Sequence, residues 1–207
     1  PCLSRPMGCF ARMKSKLFDY RPTDRMPEAE VALLLAFHLL DHPESHGEAE
    51  VAIDGAQVRV AKDEIFPIAE FLDAHGWKQT EQTGKNPWQG TYNRGGKTLL
   101  IHSRSGVGDV VARIGEKRIR AECKKGNLVK KSSNPEYGIL REALGQILTV
   151  EEIHRNDVMV VAVPMAEGFI RLAANWSQRP LMVISKIRIA LVGRDGSVKG
   201  LEGIKWL

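Results

Sequence analysis

The segment from Gly108 to Lys124 constrains this chain more than any other. Gly115-Glu116 suits a two-residue type II′ turn, which wants Gly first. Such a turn pairs Ile114 with Lys117 and fixes the register of a hairpin. Side chains on a strand alternate between faces. One face then receives Val110, Ala112, Ile114, Ile119, Ala121 and Cys123, all apolar or small. The other receives Asp109, Val111, Arg113, Arg118, Arg120, Glu122 and Lys124. A slip of one residue would mix the two sets, so the pattern supports the register. Counting back from the turn, Asp109 falls opposite Glu122.

Two carboxylates facing each other at roughly 5 Å repel unless a cation lies between them. Magnesium or manganese takes such hard oxygens, keeps several waters and can polarise a phosphate. Lys124 lies two residues beyond Glu122 on the same face, about 7 Å along the strand. An ammonium there can orient an attacking water or stabilise charge developing on a phosphate. Two acids and a lysine are the parts that metal-assisted phosphodiester hydrolysis needs.

The rest of the chain provides a setting. Its 207 residues suffice for one domain with a real core, with 43% hydrophobic and 27% charged residues. Residues 1–24 read as a basic lead-in without the continuous apolar core of a signal peptide. Pro27 opens a helix whose apolar face includes Leu33, Leu34, Phe37, Leu39 and Leu40, and Pro43 stops it. Val51–Ile53 and Gln57–Val60 flank Asp54-Gly55 as a hairpin. Asp63 reads as the N-cap of a helix running to His75, with Gly76 as its stop. A strand over 77–82, a flexible loop over 83–96, and strands over 97–103, 109–114 and 117–124 come next. Then follow a basic loop, a helix from Pro135, a buried strand over 158–163, a helix over 169–177 and a hairpin around 193–196. The expected fold class is α/β (α+β), with a mixed central sheet flanked by helices. The expected division is an N-terminal helix-plus-hairpin extension, residues 1–62, and a main domain, residues 63–207.

The spacing Asp109 … Glu122-Cys123-Lys124 resembles the signature of the PD-(D/E)xK nuclease superfamily, which includes restriction endonucleases, Holliday-junction resolvases and Mrr-like enzymes. That core runs helix, three strands, helix, strand, similar to the order read over 63–163. The resemblance implies a restriction-endonuclease-like core. It implies metal ligation by Asp109 and Glu122 with the Cys123 carbonyl, and catalysis assisted by Lys124. It also suggests Glu64 on the first core helix, with Glu70 as the competing residue, and Gln146 on the helix after the ExK strand. Gly108 departs from the Pro of the name, and Val150 stands where a RecB-like subgroup has Tyr.

The net charge is +5, and between Arg113 and Lys131 eight residues are basic against two acidic. Beside a metal site, Arg113, Arg118, Arg120, Lys125, Lys130 and Lys131 become candidates for phosphate-backbone contacts. Elsewhere the same stripe would be a solvated strand face. Cys2, Cys9 and Cys123 form neither a disulfide framework nor a CxxC zinc pair, so a reducing, cytoplasmic setting fits. His38, His42 and His46 have helical spacing, but Pro43 interrupts it. Trp88 can stack on a base or pack in a core. The expected activity is magnesium-dependent hydrolysis of DNA, with RNA left open, and a homodimer is plausible because cutting both strands often uses two sites. The rivals are a non-catalytic nucleic-acid binder and a complex subunit with an apolar docking surface on the first helix.

Overall fold

The computed structural model describes residues 24–55, 59–60, 63–64, 66–104, 106, 108–129 and 135–206. Nine strands form one mixed sheet. They are β2 (Ser45–Ala52), β5 (Lys78–Gln82), β6 (Gly90–Arg94), β7 (Lys97–His102), β8 (Val110–Ile114), β9 (Lys117–Cys123), β11 (Asp157–Pro164), β12 (Arg188–Val192) and β13 (Val198–Lys199). Their order across the sheet is β13-β12-β11-β9-β8-β2-β7-β6-β5. Two small two-stranded pieces join β1 (Arg25–Met26) to β10 (Gly126–Asn127) and β3 (Arg59–Val60) to β4 (Asp63–Glu64). Five helices with described bounds accompany them among the described residues: α1 (Glu28–Leu40), α2 (Ile68–Ala74), α3 (Pro135–Leu148), α4 (Glu167–Trp176) and α5 (Pro180–Ser185). The coarse expectation of an α+β fold with a mixed, helix-flanked sheet holds. Among the described residues no helix is long and apolar enough to cross a membrane.

Alternation along β11 shows how the layers are built. Val160 and Ala162 belong to the apolar cluster that contains α1. Met159, Val161 and Val163 belong to a second cluster with Leu140, Ala143 and Ile147 of α3 and Phe169 of α4. This strand is buried on both faces, which its unbroken apolar run requires. Helix α1 is apolar almost all round, and eleven of its thirteen residues are buried. It lies against β2, β8, β9, β11 and β12. The first helix is therefore core and offers no docking surface.

The hairpin register is as read. Ile114 pairs with Lys117 and Val110 with Ala121. Gly115 takes φ +51° while Glu116 does not enter the positive region, as a II′ turn demands. All six residues of the apolar face are at most 2% exposed.

Three expectations change. Of the hairpin expected around Asp54-Gly55, Gln57 and Val58 lie outside the described residues, and among the described ones Arg59–Val60 pairs with Asp63–Glu64 rather than with Val51–Ile53. β2 pairs antiparallel with β8 and parallel with β7, so it lies between two strands that follow each other in the chain. The four-residue link after α1 turns β2 back beneath that helix, and Ala49 and Val51 supply its buried face. Residues read as an extension thus contribute α1 and an interior strand to the sheet. The expected helix from Asp63 starts only at Ile68. Pro67 holds the first-cap position, and a residue preceding proline is pushed out of the helical region. Finally, the loop over 83–96 contains β6, joined to β7 through Gly95-Gly96 with both glycines at positive φ.

Candidate active site

The candidate acids and lysine meet where β9 ends and β8 begins. The backbone of Asp109 bends there. Its N–H donates to the Ala121 carbonyl at 2.8 Å, and its own carbonyl accepts from Ala52 N–H at 2.8 Å. Gly108 makes the bend with φ +135°, and a Cβ on it would stand 3.0 Å from the Ala121 oxygen. Proline, locked near −65°, cannot take this conformation. That accounts locally for Gly at this position.

The bend brings the Asp109 carboxylate back over the strand, where Oδ2 accepts the Cys123 N–H at 2.7 Å. Burial, then the Glu122 charge, push its pKa up to about 7, with Glu28 adding to the rise; the Cys123 N–H and Lys124 oppose them. Lys124 follows β9 and is buried. Its Nζ lies 2.9 Å from Glu122 Oε1 and 3.5 Å from Glu142 Oε1. Burial works against the ammonium, yet the Glu122 bond and the charges of Glu122, Glu28 and Glu142 outweigh it and raise its pKa above that of a free lysine. The Cys123 side chain is fully enclosed on the α1 side, and burial pushes its thiol well up. Its backbone is what faces Asp109.

Sequence reading missed two acids. Glu28, in the first turn of α1, acts on Asp109, Cys123 and Lys124 and lines a narrow crevice with Asp109 and Asp54. The one local signal is an acidic residue in a helix's first turn, which is favourable helix electrostatics in any helix and does not single out Glu28. Glu142 reaches Lys124 from α3, four residues before Gln146. Gln146 is exposed and borders a cleft of about 620 Å³ together with Glu122, Gly108, Arg118, Arg120 and His154. Glu64 pairs with Arg59 in the small β3–β4 sheet and is not on a helix, while Glu70 is exposed on α2.

The basic candidates divide. Arg113 and Lys125 are exposed. Arg118 and Arg120 both bind Asp157, and Arg120 is only 3% exposed, so it is an internal group rather than a phosphate contact. Lys130 and Lys131 lie outside the described residues, as do Cys2 and Cys9. Trp88 is buried in the core, which removes it as a stacking platform. His42 packs edge-on against Trp206, and His46 Nε2 lies 3.0 Å from the Gly115 carbonyl oxygen, so the three histidines do not converge.

Among the described residues no three His, Cys, Asp or Glu side chains form a ready-made metal cage. The donors present are carboxylate oxygens, which suit magnesium or manganese held by one or two acids and several waters. No protein-family model matches the chain, and neither a curated protein nor a solved structure does.

Proposed function

We propose that this chain is a divalent-metal-dependent nuclease of the PD-(D/E)xK type, acting on DNA through a restriction-endonuclease-like core. The observation that carries the reading is the meeting of Asp109, Glu122 and Lys124 at one end of the sheet, with Glu28 beside them. The chain order supports it as well. Helix α1, strands β2, β8 and β9, helix α3 and strand β11 follow the helix, three strands, helix, strand order of that superfamily, with residues 53–108 as an insertion that widens the sheet past β2. In that alignment Glu28, not Glu64, is the acid of the first core helix.

Asp109 and Glu122 would hold the ion, with the Cys123 carbonyl as a further oxygen. When bound, magnesium or manganese polarises the scissile phosphate and activates water. The Asp109 carboxylate is held in place by the Cys123 N–H. The Lys124 ammonium orients the attacking water or stabilises the charge that grows on the phosphate. Gln146 borders the cleft in which a phosphate would sit. Arg113 and Lys125 are the exposed cations available to the phosphate backbone.

Plasmid, linear and branched DNA, incubated with manganese, magnesium or EDTA, test the reading. Metal-dependent cutting that disappears in Asp109→Ala and in Lys124→Ala supports it. Cutting that survives both changes, or that is absent throughout, overturns it. A second reading, a subunit of a larger complex, draws on α5, where Leu181, Val183 and Ile184 are 61–78% exposed. It predicts a melting temperature indifferent to manganese, whereas an ion bound by the folded state raises it.

A further inference from the structure

Lys124 touches two acids of opposite character. Glu122 is half-buried on the hairpin and takes Nζ at hydrogen-bond distance, 2.9 Å. Glu142 is largely exposed on α3 and stands 3.5 Å from the same nitrogen, within ion-pair range but beyond a normal N–H···O contact. The Lys124 side chain itself is only 10% exposed. In this arrangement the ammonium occupies carboxylate lone pairs that a divalent cation on Glu122 would use. Ion and lysine therefore compete for one group.

An ion that takes Glu122 puts a positive charge beside a buried ammonium that has just lost its partner. A buried charge without a partner is strongly unfavourable. The ammonium must then find another acceptor within its reach. Glu142 is already in ion-pair range, comes from a different element, and has a side chain that is 65% exposed.

We infer that Glu142 is a positioning residue that receives the Lys124 ammonium when a divalent cation takes Glu122. This rests on the nuclease reading above. Glu142 then assists metal binding without touching the metal. Its effect must pass through Lys124, which separates this role from direct ligation and from a plain surface ion pair.

Manganese binding to the full chain without nucleic acid, followed by the EPR signal of free Mn²⁺, tests this. Wild type is compared with Glu142→Gln, Lys124→Met and the double variant, with thermal melts confirming that each is folded. Glu142→Gln should weaken binding by about two- to fivefold, the scale of a partly exposed ion pair. Lys124→Met should tighten it, because the competitor is gone. In the Lys124→Met background, Glu142→Gln should have no effect. Wild-type binding that ignores Glu142→Gln overturns the inference alone. So does a loss that persists without Lys124, which would make Glu142 a ligand. No manganese binding by wild type, or binding indifferent to Asp109→Ala, overturns the nuclease site itself and the inference with it.

Discussion

Arg118 holds Asp157 through two parallel hydrogen bonds, Nε to Oδ1 at 2.7 Å and Nη2 to Oδ2 at 2.8 Å. Arg120 Nη1 adds a bond to Oδ2 at 3.1 Å and one to the Glu152 carbonyl at 2.6 Å. The His154 N–H also donates to Oδ2. The pair ties the start of β11 to β9, where Asp157 and Arg118 are register partners. The Asp157 side chain is 1% exposed, so this is an internal clamp rather than a surface pair.

Breaking the clamp by Asp157→Asn leaves Arg120 buried with a neutral partner. The expected loss is about 3 kcal/mol. For a chain of this size that is a fall in melting temperature of roughly 6–12 °C. Burial alone would raise the Asp157 pKa, but the bonds from Arg118, His154 and Arg120 hold it well below the usual carboxylate range. A depressed folded pKa means stability present above the unfolded value, about 4, and lost below it. The gap between wild type and variant should therefore be constant from pH 5 to 8 and shrink below about pH 4. Melts across that range, with a gap that stayed constant down to pH 3, would contradict the assignment.

Asp109 behaves in the opposite sense. Burial and Glu122 raise its pKa to about 7, above the unfolded value. Between those two values the folded state binds more protons, so ionising Asp109 destabilises the fold as pH rises through that window. Asp109→Asn retains an oxygen for the Cys123 N–H and removes the charge. It should match wild type near pH 3–4 and melt higher at pH 8. Manganese should reverse the order at pH 8 by stabilising only wild type, and its affinity should increase as pH rises through 7. Equal melting of the two proteins at pH 8 without metal would show that Asp109 is not strained by its surroundings.

Legibility in the sequence followed the range of each interaction. The β8–β9 hairpin was readable because its register is set by a two-residue turn and its faces by alternation, both local. Helix α3 and β11 were readable from apolar pattern alone. The place of β2 was not. Glu48, Ala49, Glu50 and Val51 alternate as any half-buried strand does, and nothing local says that its partners are β7 and β8 rather than Gln57–Val60. The same gap hid Glu28, whose proximity to Asp109 follows from α1 crossing the sheet. The β6–β7 hairpin was a different miss. Gly95-Gly96 is a strong two-residue turn signal, but it was submerged in a stretch rich in Gly, Asn and Pro. Arg120 was misjudged because facing the polar side of a hairpin does not mean facing water when another segment covers that side.

Gly115 has a role beyond its turn. A Cβ there would stand 2.4 Å from the Trp206 carbonyl oxygen and 3.0 Å from Glu44 Oε2, with φ at +51°. The Glu116 N–H donates to that same Trp206 oxygen at 2.9 Å, so the end of the described chain lies across the hairpin tip. Gly95, with φ +56°, has nothing within 4 Å of its would-be Cβ. Gly95→Ala should cost about 1 kcal/mol, from conformation alone. Gly115→Ala should cost about 2–4 kcal/mol, because the Trp206 backbone must also move. Urea denaturation of both variants gives the comparison, and equal losses would mean the C-terminal segment does not pack there.

The N-terminus of α1 is anchored at long range. Arg194, in the turn between β12 and β13, donates Nε to Glu30 Oε1 at 2.8 Å and Nη2 to Glu30 Oε2 at 3.0 Å, and also reaches the Arg25 carbonyl at 2.8 Å. Glu30 is 1% exposed. Arg194→Met leaves that carboxylate buried opposite an apolar chain, at a cost of about 3–5 kcal/mol. Adding Glu30→Met should recover most of the loss, because a buried ion pair is often replaceable by apolar packing. Glu28 lies two residues before Glu30 in the same first turn and faces Asp109. On the proposed nuclease function, the single variant should therefore cut DNA more slowly per folded molecule, and the double variant should regain rate along with stability. Stability that returned without the rate would mean that Arg194 sets the position of Glu28 through its charge and not only through packing.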